Sequence, residues 1–174
     1  MFQKKGALLM KQLFIKQKVF SIGEKFTIKD EEQNDVYYVE GSFMKIPKTF
    51  EIFNTARQEI ARITKKPFSF LPKFHVDVNG REILMIKKEF SFFKARYSID
   101  AAGIEVRGNW WDMNFQILQQ GEVVGQVNKE WFTWGDSYKV QIIDEGMEKM
   151  VIAIVVAIDC VKADESASAA AASN

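Results

Sequence analysis

Histidine and cysteine are almost missing from this chain, with one of each, His75 and Cys160, in 174 residues. A single cysteine excludes an intrachain disulfide and suits a reducing compartment. A lone histidine takes the usual residue away from most acid–base and metal schemes, and no second His or Cys is spaced with it for a metal. No cofactor is expected. Charge of one sign is lacking too. Lysine plus arginine (24) nearly balances aspartate plus glutamate (23), so no global field calls for nucleic acid, and any anionic partner must meet a local basic patch. Long apolar runs are also absent. Met150–Ile158 falls short of the roughly 18–20 residues that span a bilayer. The apolar stretch before Lys11 is briefer than the roughly 7–15 residues of a secretory signal. These absences point to the cytoplasm, with at most a peripheral place at a membrane. No phosphate-binding glycine loop, Gly-x-Ser-x-Gly or His-Glu-x-x-His occurs, so no catalytic constellation is visible and a non-enzymatic protein is expected.

What is present is a 47% hydrophobic, 13% aromatic composition that fits one folded domain, and within it a repeat. Fourteen-residue frames starting at 15, 39, 63, 86, 104 and 127 share apolar residues at their first, eighth, twelfth and fourteenth positions. The twelfth position is always aromatic: Phe26, Phe50, Phe74, Tyr97, Phe115, Tyr138. The fourteenth is always β-branched: Ile28, Ile52, Val76, Ile99, Ile117, Val140. Positions eleven and thirteen are polar in every frame (Lys73 and His75 in the third), and such alternation puts one strand face in a core and the other in water. Turn residues sit inside the frames at Gly23-Glu24, Pro47-Lys48, Leu71-Pro72, Lys94-Ala95, Asp112-Met113 and Gly135-Asp136. More lie between them at Asn34-Asp35, Asn54-Thr55, Asn79-Gly80, Ala102-Gly103 and Gln120-Gly121. Asn79-Gly80 is the best two-residue type I′ turn. Six frames predict six hairpins, hence twelve antiparallel strands.

Met150–Ile158 has no alternation and no polar face, and its β-branched content would also suit a buried strand. Geometry selects a helix. Twelve strands about 4.8 Å apart and tilted about 40° close into a barrel roughly 24 Å across, leaving a hole of about 10–12 Å, the width of a helix. A helix that is apolar all round needs such a place. Asp144 is a candidate cap and Lys162 a candidate last-turn cation. The expected fold is mainly β: a twelve-stranded antiparallel barrel enclosing a central hydrophobic C-terminal α-helix. Residues 11–162 form the barrel domain. Residues 1–10 are an N-terminal extension (Met10 being an alternative start), and 163–174 a disordered tail.

Six hairpins, a hydrophobic helix as the last element, and lysine-acid-aromatic steps such as Lys88-Glu89-Phe90 and Lys129-Glu130-Trp131 resemble the LURP-one-related family. That family belongs to the tubby C-terminal-like superfamily, with phospholipid scramblases as relatives, and the likeness is to a bacterial member over about residues 11–162. It implies a helix-threaded barrel, with lipid-headgroup or membrane-adaptor roles in some members and no established activity in many. The chain lacks a calcium-loop candidate beside the last helix, a cysteine cluster and a proline-rich N-terminal arm, which argues against lipid scrambling.

The basic residues are the functional lead. Lys65, Lys66, Lys87, Lys88 and Lys129 occupy positions three and four of three frames, the same place along the first strand of each hairpin, and neighbouring hairpins would gather them into one band. With Phe68, Phe90, Trp131 and Phe132 beside or beneath them, such a band would hold a phosphate-bearing headgroup through charge-assisted hydrogen bonds. A solvated wall whose lysines discourage edge pairing is the plainer alternative. Trp110, Trp111, Trp131 and Trp134 are either interfacial anchors or barrel ends. His75 is expected on the surface, Cys160 as a small buried hydrophobe, and Glu31, Glu32 and Asp35 in a solvated turn. The sequence therefore suggests a binding module for an anionic phospholipid headgroup or other phosphorylated ligand at a membrane surface. The alternatives are a protein–protein interaction scaffold and, third, a small-molecule carrier. Clustered exposed lysines would favour the first, an exposed apolar patch the second, and an internal cavity the third.

Overall fold

The computed structural model describes residues 10–16, 25–42, 46–90, 96–130 and 137–173. The predicted turns at Gly23-Glu24, Lys94-Ala95 and Gly135-Asp136 lie outside these residues. Each frame folds as a hairpin, giving β1 (Lys11–Lys16), β2 (Lys25–Lys29), β3 (Asp35–Gly41), β4 (Thr49–Asn54), β5 (Glu59–Lys65), β6 (Lys73–Val78), β7 (Arg81–Glu89), β8 (Arg96–Asp100), β9 (Ile104–Asn109), β10 (Asn114–Gln119), β11 (Glu122–Glu130) and β12 (Ser137–Ile142). The expected alternation holds. On β6, Phe74 and Val76 face inward and are fully buried, while Lys73 and His75 face out. Asn79 and Gly80 both have positive φ (50° and 76°), as the type I′ turn requires.

The repeat frame is also the pairing register. The first position faces the fourteenth in five hairpins: Ile15 opposite Ile28, Val39 opposite Ile52, Ile63 opposite Val76, Ile86 opposite Ile99, and Val127 opposite Val140. The fifth hairpin is slipped by two, with Val106 rather than Ile104 opposite Ile117. The strands run in the order β8-β7-β6-β5-β4-β3-β2-β1-β12-β11-β10-β9, all antiparallel, and pairing of β1 with β12 carries the sheet around. The barrel is closed by hydrogen bonds everywhere except between β8 and β9, which end the order.

The last apolar segment is a helix, α1 (Glu148–Ala172), preceded by a 3-10 turn over Glu145–Met147. Every residue from Met150 to Val161 is buried among the inward side chains of the sheet. The helix approaches β11 so closely that a Cβ on Gly125 would lie 2.7 Å from Val151 Cγ1. That contact leaves no room for a side chain there, and close packing of this kind argues against a carrier. Asp144 caps the 3-10 turn through the Gly146 N–H rather than α1 itself. The tail differs from expectation. Alanine and serine at 166–172 continue α1 to Ala172, because alanine has the strongest helix propensity and the buried turns have already nucleated the helix. Lys162 is therefore in mid-helix, not in the last turn.

Candidate functional site at the helix exit

The threaded helix gives the barrel two distinct ends, each with a side-chain lock. Where α1 enters, the Glu148 carboxylate accepts hydrogen bonds from Lys11 Nζ (2.7 Å) at the start of β1 and from the Tyr37 hydroxyl (2.6 Å) on β3. Where it leaves, Lys65 Nζ at the end of β5 donates to Asp164 (2.6 Å). Beside it, Glu165 accepts from Lys88 Nζ (2.6 Å) on β7 and from the Tyr97 hydroxyl (2.7 Å) on β8. Burial raises the Glu165 carboxyl, but the hydrogen bonds from Lys88 and Tyr97 outweigh it and hold the group below its ordinary value. Burial first, and then the carboxylate it faces, push the Tyr37 and Tyr97 phenols far up, so both remain donors.

Tyr97 also bridges the open seam. Its ring stacks on Trp111 (6.1 Å between centroids) and meets Trp110 edge-on (6.2 Å), the two tryptophans forming the β9–β10 turn. Aromatic contacts thus join β8 to the far edge of the sheet at this end. The Lys88 ammonium lies 5.9 Å from the same Tyr97 ring centre. Trp110 and Trp111 are therefore a barrel-end cluster, Trp110 half-buried and Trp111 at the surface. Trp131, Phe132 and Trp134 lie outside the described residues.

Strand parity divides the five lysines proposed as one band. Lys65 and Lys88 follow the inward residues Ile63 and Ile86 and are spent on the helix lock. Lys129 follows inward Val127 and stands opposite Tyr138 on β11–β12, away from the β5–β7 hairpins in strand order. Lys66 and Lys87 have the opposite parity and face out. Between them stands Lys73 on β6, which pairs directly with Lys87, while Lys66 extends the β5–β6 ladder by donating its N–H to the Lys73 carbonyl (2.8 Å). Ser98 on β8 faces Lys87 on the other side. A straight row, Lys66–Lys73–Lys87–Ser98, thus crosses four adjacent strands about 4.8 Å apart.

An open groove of about 500 Å³ lies along the Lys73–Lys87–Ser98 part of this row, lined also by Lys88, Ser69, Phe70, Leu71 and the acidic Glu89. Lys87 is paired with exposed Asp100 (2.7 Å), whereas Lys66 and Lys73 have no ion pair among the described residues. Like charges directly opposite one another oppose folding by a few tenths of a kcal/mol. The chemistry on offer is ammonium and hydroxyl donors around a wet groove, suited to a phosphate. Of the aromatics expected beside or beneath the lysines, Phe68 and Phe90 are exposed at the surface. Lys73 was hidden in the sequence as one polar alternate among many. Only the register, which sets 66 against 73 and 73 against 87, puts it at the centre.

Elsewhere, His75 Nδ1 meets Glu82 (2.7 Å) on the outer wall, and Asp30 organises the acidic turn at the entry end through Asn34. No group of three or more His, Cys, Asp or Glu among the described residues is placed to hold a metal. Inside the barrel, burial raises the Cys160 thiol and pushes the Asp159 carboxyl up to about 6, with the neighbouring Tyr138 hydroxyl and the Lys162 charge offsetting it only in part. Tyr138 lies beside Asp159, yet its hydroxyl completes no hydrogen bond of good geometry. No described helix is long and apolar enough to cross a membrane.

Comparison with known proteins agrees with this architecture. The chain is 30% identical over 152 residues to the uncharacterized protein YxjI of Bacillus subtilis (strain 168), covering 87% of this chain and 94% of that protein. An X-ray structure of a protein from Arabidopsis thaliana shares the fold, with a TM-score of 0.56 over 86% of this chain and 91% of that one, at 10% identity. The family model described as LURP-one-related matches residues 11–159, from the first strand to the buried aspartate, and the chain belongs to that family.

Proposed function

We propose that this barrel is a non-catalytic binding module whose outer wall holds a phosphate-bearing anion. The supporting observation is the Lys66–Lys73–Lys87 row. Three ammonium groups stand on adjacent strands against their mutual repulsion, with the hydroxyls of Ser69 and Ser98 beside them. A wall needing only solubility would alternate its charges across the strands, as Arg62 does between Glu51 on β4 and Asp77 on β6. Each lysine near an anionic surface contributes about 1 kcal/mol.

The test measures flotation with neutral and phosphatidylserine-containing vesicles at low and physiological salt, and calorimetric binding of soluble inositol hexakisphosphate. Binding that weakens with salt, and falls by about 100-fold when Lys66, Lys73 and Lys87 are all replaced by glutamate, is the expected result. The triple variant must keep the thermal transition of the parent. A folded variant that binds either probe as the parent does would remove the row from consideration.

A further inference from the structure

We propose that the seam between β8 and β9 is a docking slot for one extended segment of another polypeptide chain, which pairs with both free strand edges as an added strand. The sheet order ends at this seam, and no pairing between β8 and β9 exists among the described residues. The register shows which backbone groups are left unused there. Gln120 donates its N–H to the Gly103 carbonyl (2.7 Å), and with Ile104 opposite Gln119 this turns the ladder groups of Glu105 and Arg107 toward β10. Those of Ile104, Val106 and Gly108 therefore face the seam. On the other side, Lys88 donates to the Pro72 carbonyl (2.9 Å), away from β8. Lys87 is then the residue that bonds with Ser98, and the groups of Tyr97 and Ile99 face the seam. The Cα atoms of β8 and β9 scarcely come within 8 Å of each other, where paired strands stand about 4.8 Å apart. The link from Ala101 to Gly103 stops them parting beyond about 14 Å at the entry end. A strand between them needs about 9.6 Å, twice the ordinary spacing.

The side chains beside the slot are apolar and incompletely covered. The fourteenth frame position is fully buried as Ile28, Ile52, Val76, Ile117 and Val140, yet only half-buried as Ile99 on β8. The first position is buried in every frame except the one that opens with Ile104 on β9, where it is half-buried. Val106 on the same strand is half-buried too. Both exceptions to the repeat thus lie on the seam. An occupant with apolar side chains pointing inward, level with Ile99 and Val106, completes the layer that the other hairpins complete among themselves. Outward charges fix the rest of its chemistry. Asp100 and Glu105 stand toward the entry end of the slot, and Arg107 lies two residues further along β9. In the free chain Asp100 pairs with Lys87 (2.7 Å) and Glu105 with Arg107 (3.0 Å), so each acid is held on its own side of the gap. A segment with alternating apolar residues, an outward lysine or arginine beside the two acids and an outward acid beside Arg107 complements both edges. A second barrel does not fit. Its edge strand would arrive with a neighbouring strand already bonded, and that neighbour would need the place of β8 or β9.

The intact chain is tested with the synthetic peptide acetyl-Thr-Val-Lys-Val-Glu-Val-Thr-amide in three forms: unmodified, N-methylated at its valines, and scrambled so that the alternation is lost. Residue-resolved hydrogen exchange comes first. In the chain alone, the amides of Ile99 and Val106 should exchange about 100-fold faster than those of Glu105 and Arg107. Saturating unmodified peptide should slow them to the level of their bonded neighbours. Both altered forms should bind about tenfold more weakly or worse, followed by the anisotropy of a dye on the peptide. Val106→Pro removes a donor that faces the seam and no ladder bond, so it should keep the parent's thermal transition and weaken the peptide by about tenfold. If that variant unfolds, the N-methylated peptide makes the same test on the unaltered protein. Protection of Ile99 and Val106 in the chain alone would overturn the proposal, because the chain would then cover its own seam. Fast amides that the unmodified peptide leaves unprotected at millimolar concentration would overturn it as well, as would binding indifferent to N-methylation. Protection that grows with the concentration of the chain itself would assign the edges to a second copy instead. The slot uses none of Lys66, Lys73 and Lys87, so inositol hexakisphosphate binding should survive Val106→Pro, and failure of either reading leaves the other standing.

Discussion

The two ends of the barrel use the same lock and are otherwise opposites. At both, a helix carboxylate accepts from one lysine and one tyrosine of the wall: Glu148 from Lys11 and Tyr37, Glu165 from Lys88 and Tyr97. The entry end has short polar turns and an apolar helix segment behind them. The exit end has the exposed aromatics, the lysine row and, one turn inside, the buried Asp159. Since the locks are alike, holding the helix in place does not explain the differences. The exit end carries features that oppose folding (a buried acid and facing lysines), and these are expected where a fold gives up stability for a task.

Breaking the comparison at Asp159 should have the largest effect. Its carboxyl titrates near 6 in the folded chain and near 3.9 unfolded. Between those values the folded state keeps a proton that the unfolded state has lost, so this group's contribution to stability falls as pH rises through about 4 to 6. Above that window the full penalty, on the order of 3 kcal/mol, is present. Asp159→Asn should therefore be the more stable protein at pH 8, with the gap closing below pH 4, in denaturant titrations across that range. A pH-independent difference would contradict the burial argument.

The locks come next. Glu148→Ala and Glu165→Ala should each lose about 1–2 kcal/mol, because a lysine and a tyrosine lose their shared acceptor. The two sites are about 25 Å apart along the helix, so the double variant should be additive. A coupling above about 0.5 kcal/mol would mean that the helix moves as one piece and that the ends do not act separately. The smallest effect is the most telling about function. Lys73→Ser should raise stability by a few tenths of a kcal/mol at low salt, with the gain shrinking as salt rises, while anion binding weakens. A loss of stability would make Lys73 a structural residue.

Much of the fold was legible because the hydrophobic frame and the register are one quantity. Residues that must face the same core at the same level recur at the same position, and five hairpins pair position one with fourteen. The fifth escapes because Ile104 and Val106 are both apolar and share strand parity. Pattern alone cannot choose between two frames that differ by two. The tail was misread because an alanine-serine run looks like a frayed end on composition, yet it becomes helical when preceded by twelve buried helical residues. At the site, lysine identity was legible but its grouping was not. Adjacent residues on a strand face opposite ways, so Lys65 and Lys66 part company, as do Lys87 and Lys88. Lys73 becomes visible only once three strands are aligned. The seam had no signature in the sequence, since it depends on how the twelve strands share the circumference.

The order of the chain sets when this structure can exist. The inward wall is complete only when β12 reaches β1, and the segment that fills it, Met150–Val161, is made after every strand. During synthesis the hairpins form locally, each with an apolar face that has as yet no partner, and the helix must arrive before they find one another wrongly. Folding thus waits on the synthesis of α1. Truncation before α1 leaves a curled sheet with an unfilled interior, a species prone to aggregate and not a smaller version of the domain.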